Sequence, residues 1–310
     1  MIRIENLTKS YPSKMGPQYI FKNLNFDFPT ENNVAILGKN GAGKSTLIKT
    51  LLGLLDFHGG RASVLGYQLP QQKVEIRQAI GYMPENDCYL PYMTAIEYVS
   101  FGGELTGMPR KEAFRRAHEI LYYVGLKEAR YRKLAGFSTG MKQRVKLAQA
   151  LVHGPRLVFL DEPTNGLDPK GRDEMLQLIN DVKARGVNIV LSSHILSDVE
   201  QVCDSVIMMN QGEIVYSGAI NTLKDDGKFV LEIMTRDKPD ELLELLKKHS
   251  FNAVQQGLKL KVTLDRKDDS QEILKLTREH DIQLRHFMPA ELTLEAAFLG
   301  LIDEHNTTHA

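Results

Sequence analysis

The segment Gly38-Lys39-Asn40-Gly41-Ala42-Gly43-Lys44-Ser45 constrains this chain more than any other, because it matches G-x-x-x-x-G-K-[ST] in full. The apolar run Val34 to Leu37 leads into it, and Leu47, Ile48, Leu51 and Leu52 follow at helical spacing. Strand, glycine-rich loop and helix in that order close backbone N–H groups around phosphate oxygens and add the dipole of a helix N-terminus. Gly38, Asn40, Gly41 and Gly43 are expected to shape the loop. Lys44 is expected to reach the β- and γ-phosphates, and the Ser45 hydroxyl to sit on Mg²⁺, with Thr46 beside it on the nucleotide. The bland alternative is a structural glycine-rich turn, which leaves the flanking strand and helix as coincidence.

Leu157 to Leu160 and Asn188 to Leu191 are further short apolar runs of the kind buried on both faces of a sheet. Strands and amphipathic helices alternate from residue 1 to about 220, which predicts an α/β domain built on a parallel sheet. Between about 85 and 153 the pattern turns helical. Phe114, Ala117, Leu121 and Val124 recur at helical spacing after Pro109, as do Val145, Ala148 and Leu151 later. This predicts a helical subdomain inserted into the core.

After about residue 222 the texture changes. Lys224, Asp225, Asp226, Gly227 and Lys228 form a polar hinge. The expected series is then a strand at 229–234, a helix at 239–249, two strands around Gly257, a helix at 271–280 and a strand at 282–287. That order is βαββαβ, a small α+β, ferredoxin-like unit over 221–310.

Lys+Arg and Asp+Glu both number 39, so the chain has no net field to draw in nucleic acid, and none is expected as a partner. No apolar run approaches the length needed to span a bilayer, and the opening residues MIRIENLTKSY do not resemble a signal peptide. Cys88 and Cys203 are too few and too far apart for a disulfide framework or zinc site. They read as small core filler, and the expected compartment is the reducing cytosol.

Leu157-Val158-Phe159-Leu160 runs into Asp161-Glu162. Side chains alternate along a strand, so the two acids point apart. One is then free for the Mg²⁺ shell and the other for the attacking water, and Asp161 is assigned to the metal and Glu162 to general base. The alternative leaves both solvated at the strand's end. The strand at 188–191 delivers Ser192-Ser193-His194 to the ligand edge of the sheet, where His194 can hydrogen-bond the γ-phosphate. Ser138, before Thr139-Gly140-Met141, is a natural N-cap, and Gly140 permits close backbone approach. Residues 127–146 hold seven Lys or Arg against the single acid Glu128. They form either a solvated basic face or a surface that closes on a nucleotide held by another subunit.

Together these segments resemble an ATP-binding subunit of the ABC transporter family, over residues 1 to about 220. Gly38–Ser45 resembles its Walker A loop and Leu157–Glu162 its Walker B strand. Phe137–Met141 stands where the family has its signature loop, with Ser138-Thr139 in place of the usual Ser-Gly. Asn165-Gly166-Leu167-Asp168 resembles the D-loop, His194 the switch histidine, and Tyr11 the aromatic that stacks on adenine. Glu85 stands where the family usually has a glutamine, a variant that resembles drug, sodium and polysaccharide exporters, as does the tail from Leu292 to Leu299.

The resemblance implies ATP and Mg²⁺ as cofactors, ATP hydrolysis, and a role for Glu85 near the metal and the attacking water. It also implies a head-to-tail pair in which Ser138, Gly140 and Asp168 of one subunit cover the ATP held by the other. A separate membrane-spanning permease, met by the segment Asn86, Asp87, Tyr89, Leu90 and Tyr92, and a site on the cytoplasmic face of the membrane follow as well. For that segment, packing within the helical subdomain is the competing reading. A chromosome or translation ATPase, and a module that binds ATP without turnover, are the rival functions.

Overall fold

The computed structural model describes residues 2–289 except 15, 29–32, 40, 88, 225–228 and 265–268, together with 294, 295 and 297. The expectations for Asn40, for Cys88, for 225–228 of the hinge and for most of the 292–299 tail lie outside the described residues. The chain divides into two compact units at Ile220/Asn221.

In the first unit β1 (Ile2–Tyr11) and β2 (Gln18–Phe28) pair antiparallel, with Ile2 opposite Phe28 and Tyr11 opposite Gln18. β3 (Val34–Leu37) leads through the glycine-rich loop into α1 (Lys44–Leu51). β4 (Gly59–Val64) and β5 (Tyr67–Leu69) join the first pair in a sheet of order β2-β1-β4-β5. Next come α2 (Lys73–Ala79), β6 (Ile80–Met83) and the helices α3 (Ala95–Leu105), α4 (Arg110–Tyr123) and α5 (Thr139–Leu151). β7 (Leu157–Asp161), α6 (Pro169–Ala184), β8 (Asn188–Ser192), α7 (Leu196–Val202), β9 (Ser205–Asn210) and β10 (Glu213–Ala219) follow, and α8 (Ile220–Lys224) runs across the division at Ile220/Asn221. The six-stranded sheet has the order β10-β9-β3-β8-β7-β6, parallel except between β9 and β10.

The expected parallel sheet therefore needs correcting: the strands at 2–28 and 59–69 form a separate antiparallel sheet, and the unit has mixed sheets. The reason lies in burial. β3, β7 and β9 are buried at every position, as parallel strands between helices must be. β1 instead mixes buried with exposed positions along its length, which suits an antiparallel sheet with one wet face. Ile2, Ile4, Leu7 and Phe21 on its dry face share one core with Ile36, Leu47, Ile48 and Leu51, so this sheet braces the phosphate loop and α1. Each such side chain, fully buried, contributes roughly 1.5–3 kcal/mol.

α3 starts at a capping box between Thr94 and Glu97. α4 buries Ala113, Ala117 and Leu121, followed by Val124, but Phe114 is 47% exposed, a correction to its expected place on the apolar stripe. Ala113 faces Gly103 so closely that a methyl added at Gly103 would lie 3.1 Å from its own. Small residues set that contact, and a ring has no room there. Phe114 turns outward and meets His118 edge-on at 4.8 Å.

The second unit contains β11 (Phe229–Thr235), α9 (Pro239–Lys248), β12 (Asn252–Gln256), β13 (Lys259–Leu264), α10 (Ser270–Glu279) and β14 (Leu284–Pro289). Its sheet is antiparallel in the order β12-β13-β11-β14, with Ile233 opposite Leu260 and Phe287. Leu242, Leu246 and Ile273 of the helices pack on Ile233, Leu260 and Val262 in a core of its own.

Candidate nucleotide site

The loop between β3 and α1 favours glycine at Gly38, at Gly41 (φ +84°) and at Gly43. A Cβ at Gly38 would stand 2.5 Å from the Met209 carbonyl oxygen, and Gly43 starts α1 at φ +101°. α1 has no side-chain cap and no acid in its first turn. By contrast Thr94, Ser138 and Asp168 each accept a backbone N–H at the starts of α3, α5 and α6. The first turn of α1 thus keeps its donors and its positive dipole end for an anion. Lys44 is buried beside them, and its Nζ donates to the Gly38 carbonyl at 2.8 Å.

β7 and β8 run in parallel register, with Asp161 opposite Ser192. Asp161 is 2% exposed, and its Oδ1 accepts from Ser45 Oγ at 3.3 Å and from Ser192 Oγ. Glu162 follows in the left-handed region at φ +50°, which costs a residue with a Cβ roughly 1–3 kcal/mol and turns its side chain out of the strand. Its Oε2 lies 2.8 Å from Nδ1 of His194. The two acids meet different partners, Ser45 and Ser192 for Asp161 and His194 for Glu162, and Glu162 lies beyond the end of β7 rather than alternating along it. Contact between Glu162 and His194 was not read from the sequence, although both follow neighbouring strands of one sheet.

Burial raises the Glu162 carboxyl above its ordinary value near 4.5, against the opposing pull of His194 and Lys44. A glutamate serving as general base must be ionised, so if Glu162 has that role, hydrolysis falls as pH drops through this raised value, earlier than an ordinary glutamate would allow. His194→Ala removes charge and hydrogen bonding that favour the carboxylate, so the acid limb of the kcat–pH profile should move to still higher pH. An unchanged limb would count against the pairing.

A cleft of about 450 Å³ is lined by Gly41, Gly43, Lys44, Ser45, Thr46, Glu85, Glu162 and His194, together with Ala42, Ile20 and Asn165. Nothing in the sequence pointed to Ile20; the β1–β2 sheet brings it against Gly43. Asn165, in the segment that resembles the D-loop, also lines the cleft, and nothing in the sequence marks it for that place. Tyr11, Ser138, Gly140 and Asp168 do not line the cleft. Tyr11 is 38% exposed, with Lys9 Nζ 4.8 Å from its ring centre. Ser138 Oγ accepts from the Met141 N–H at 3.4 Å and Asp168 Oδ1 from the Gly171 N–H at 3.2 Å, so each caps its own helix.

The basic stretch is not simply a solvated face. Lys142 pairs with Asp87 at 3.3 Å, Arg144 donates to the Val124 carbonyl and to Glu174, both at 2.6 Å, and Lys146 is buried. Cys203 is buried too, and burial pushes its thiol far above its ordinary value, so it is filler.

The ABC transporter family model matches residues 21–165. The linearmycin resistance ATP-binding protein LnrL of Bacillus subtilis (strain 168) is 32% identical over 308 residues, 97% of this chain and 98% of its own. The bacitracin transport ATP-binding protein BcrA of Bacillus licheniformis is 36% identical, over 80% of this chain and 79% of its own. Among solved structures, the dimeric post-hydrolysis state of the ATP-binding cassette MJ0796 bound to ADP and Pi superposes with a TM-score of 0.65 at 26% identity, covering 71% of this chain and 98% of that one. With a glycine-rich loop ahead of α1, the buried Asp161 and the Glu162–His194 pair converging on one sheet edge, this chain belongs to the ABC transporter family as an ATP-binding, ATP-hydrolysing subunit.

Proposed function

We propose that this chain powers export through a separate membrane-spanning permease, working as a head-to-tail pair on the cytoplasmic face of the membrane. The observation that carries the catalytic part is one juxtaposition: Ser45 Oγ lies 3.3 Å from Asp161 Oδ1, and the Glu162–His194 pair borders the same cleft. Ser45 and Asp161 offer hard oxygen donors and fit Mg²⁺, which prefers a site completed by phosphate and water. They would hold it, with Glu85 within the same cleft, and it would neutralise charge on the phosphate oxygens. Lys44 and the first-turn amides of α1 grip the phosphates, Glu162 takes the proton of the attacking water, and His194 holds Glu162 in place. Tyr11, which resembles the family's adenine-stacking aromatic, would meet the base of the nucleotide.

Export is supported by the relatives named for linearmycin resistance and bacitracin transport, and by Glu85 in place of glutamine. A separate permease fits the relative named as a bacitracin transport ATP-binding protein; no helix among the described residues is long and apolar enough to cross a membrane. Tyr92, 68% exposed, and Leu90, 38% exposed, fit a surface for that partner. The second unit, with its βαββαβ order and its outer strand pairs, fits a ferredoxin-like accessory domain over 221–310, set apart from an ATPase domain over 1–220.

Pairing is supported because Ser138, Gly140 and Asp168 do not line their own subunit's cleft, and the helix starts that carry them would cover a nucleotide held by a second copy. Ser138→Arg should impair hydrolysis by the pair while ATP capture by the isolated subunit, measured by titration, stays unchanged. Weaker capture by the isolated subunit would overturn the shared site. Purifying the chain with its membrane partner and measuring phosphate release with and without that partner tests the transport reading directly.

A further inference from the structure

Helix α5 holds both rims of the nucleotide cleft from behind. Lys146 is 2% exposed, and its ammonium donates to the Pro84 carbonyl at 3.0 Å and the Glu85 carbonyl at 2.8 Å. An Asp87 carboxylate oxygen stands 3.8 Å away. One turn earlier on the helix, Gln143 Nε2 donates to the Asn165 carbonyl at 3.0 Å. Glu85 and Asn165 both line the cleft.

A buried ammonium is costly to desolvate, and an apolar side chain beside the buried Leu147 and Ala150 would fill this position without that cost. The charge is matched to its acceptors. Should residues 84–87 leave α5, the ammonium would lose two carbonyls and a carboxylate at once, which penalises the departure. The turn and the helix are therefore tied, and the helix that carries Ser138 and Gly140 at its start also fixes the backbone of Glu85.

We infer that Lys146 is a positioning residue: it clamps the 84–87 turn to α5 and so sets where the Glu85 carboxylate stands against the nucleotide. The inference rests on the reading that Glu85 works at that nucleotide. It concerns the reach of a carboxylate, so its loss should show in turnover rather than in ATP capture, which Lys44 and α1 provide.

The test uses the full-length chain and three variants, Lys146→Met, Lys146→Arg and Glu85→Ala, with steady-state ATP hydrolysis and amide hydrogen exchange. Lys146→Met should lower kcat by roughly 10- to 100-fold, the loss expected from misplacing a group by about an ångström. Its KM for ATP should change by less than about threefold. Exchange at residues 85–87 should speed up by about tenfold or more, with α1 and β7 as protected as before. Lys146→Arg, which keeps a cation on the same carbonyls, should recover most of the rate. The clamp is refuted if Lys146→Met turns over at the parental rate, if residues 85–87 exchange no faster, or if protection is lost evenly across the first unit. If instead Glu85→Ala leaves kcat unchanged, the role of Glu85 falls, and the exchange pattern still decides separately whether Lys146 holds the turn.

Discussion

Glu162→Gln lowers the rate of ATP hydrolysis by roughly 10²–10⁴-fold, the usual worth of a positioned general base. Glutamine keeps the shape of the side chain and an oxygen to meet Nδ1 of His194, now 2.8 Å from the carboxylate. It has no basic oxygen to take a proton. The phosphate grip is untouched, because Lys44, the loop and the first turn of α1 are elsewhere in the cleft. ATP binding and closure of the pair should therefore survive. Single-turnover phosphate release beside an ATP titration separates the two effects, and near-normal turnover would remove Glu162 from the role.

Lys44→Ala acts on the other half of the site and should leave no tight nucleotide binding. The ammonium is buried and donates to the Gly38 carbonyl, already positioned over the loop. Charge-assisted hydrogen bonds of this type are worth about 1.5–3 kcal/mol each, so losing them weakens affinity by roughly 10- to 100-fold or more. Calorimetric titration of the purified chain reads this directly. Unchanged affinity would refute the assignment of the loop. The two variants thus dissect capture from chemistry: one binds as before and turns over slowly, the other binds weakly.

Much of this site was legible before any coordinates because its parts are local. A glycine-rich loop between an apolar strand and an amphipathic helix is a contiguous pattern, and Asp161-Glu162 at the end of an apolar run is another. Residues whose function depends on pairing between distant strands were harder. Ile20 comes to Gly43 only through the antiparallel sheet, which the sequence reading merged into a parallel one. β1 mixes buried with exposed positions, a weaker sequence signal than the all-apolar runs of β3 and β7. Phe114 was placed on the buried face of α4 by periodicity alone, and periodicity does not know that Ala113 must fit against Gly103.

Sequence alone determined the phosphate loop, the order of the chemical segments and the family, because each is written in consecutive residues whose backbone demands are local. Tertiary structure alone decided that Glu162 meets His194, that the basic residues after 140 turn inward to Asp87, Glu174 and backbone carbonyls, and that Ser138 and Asp168 spend their oxygens on their own helices. The physical reason is that hydrogen bonding and burial are satisfied by whatever the packed sheets and helices bring within about 3 Å, and chain separation sets no limit on that.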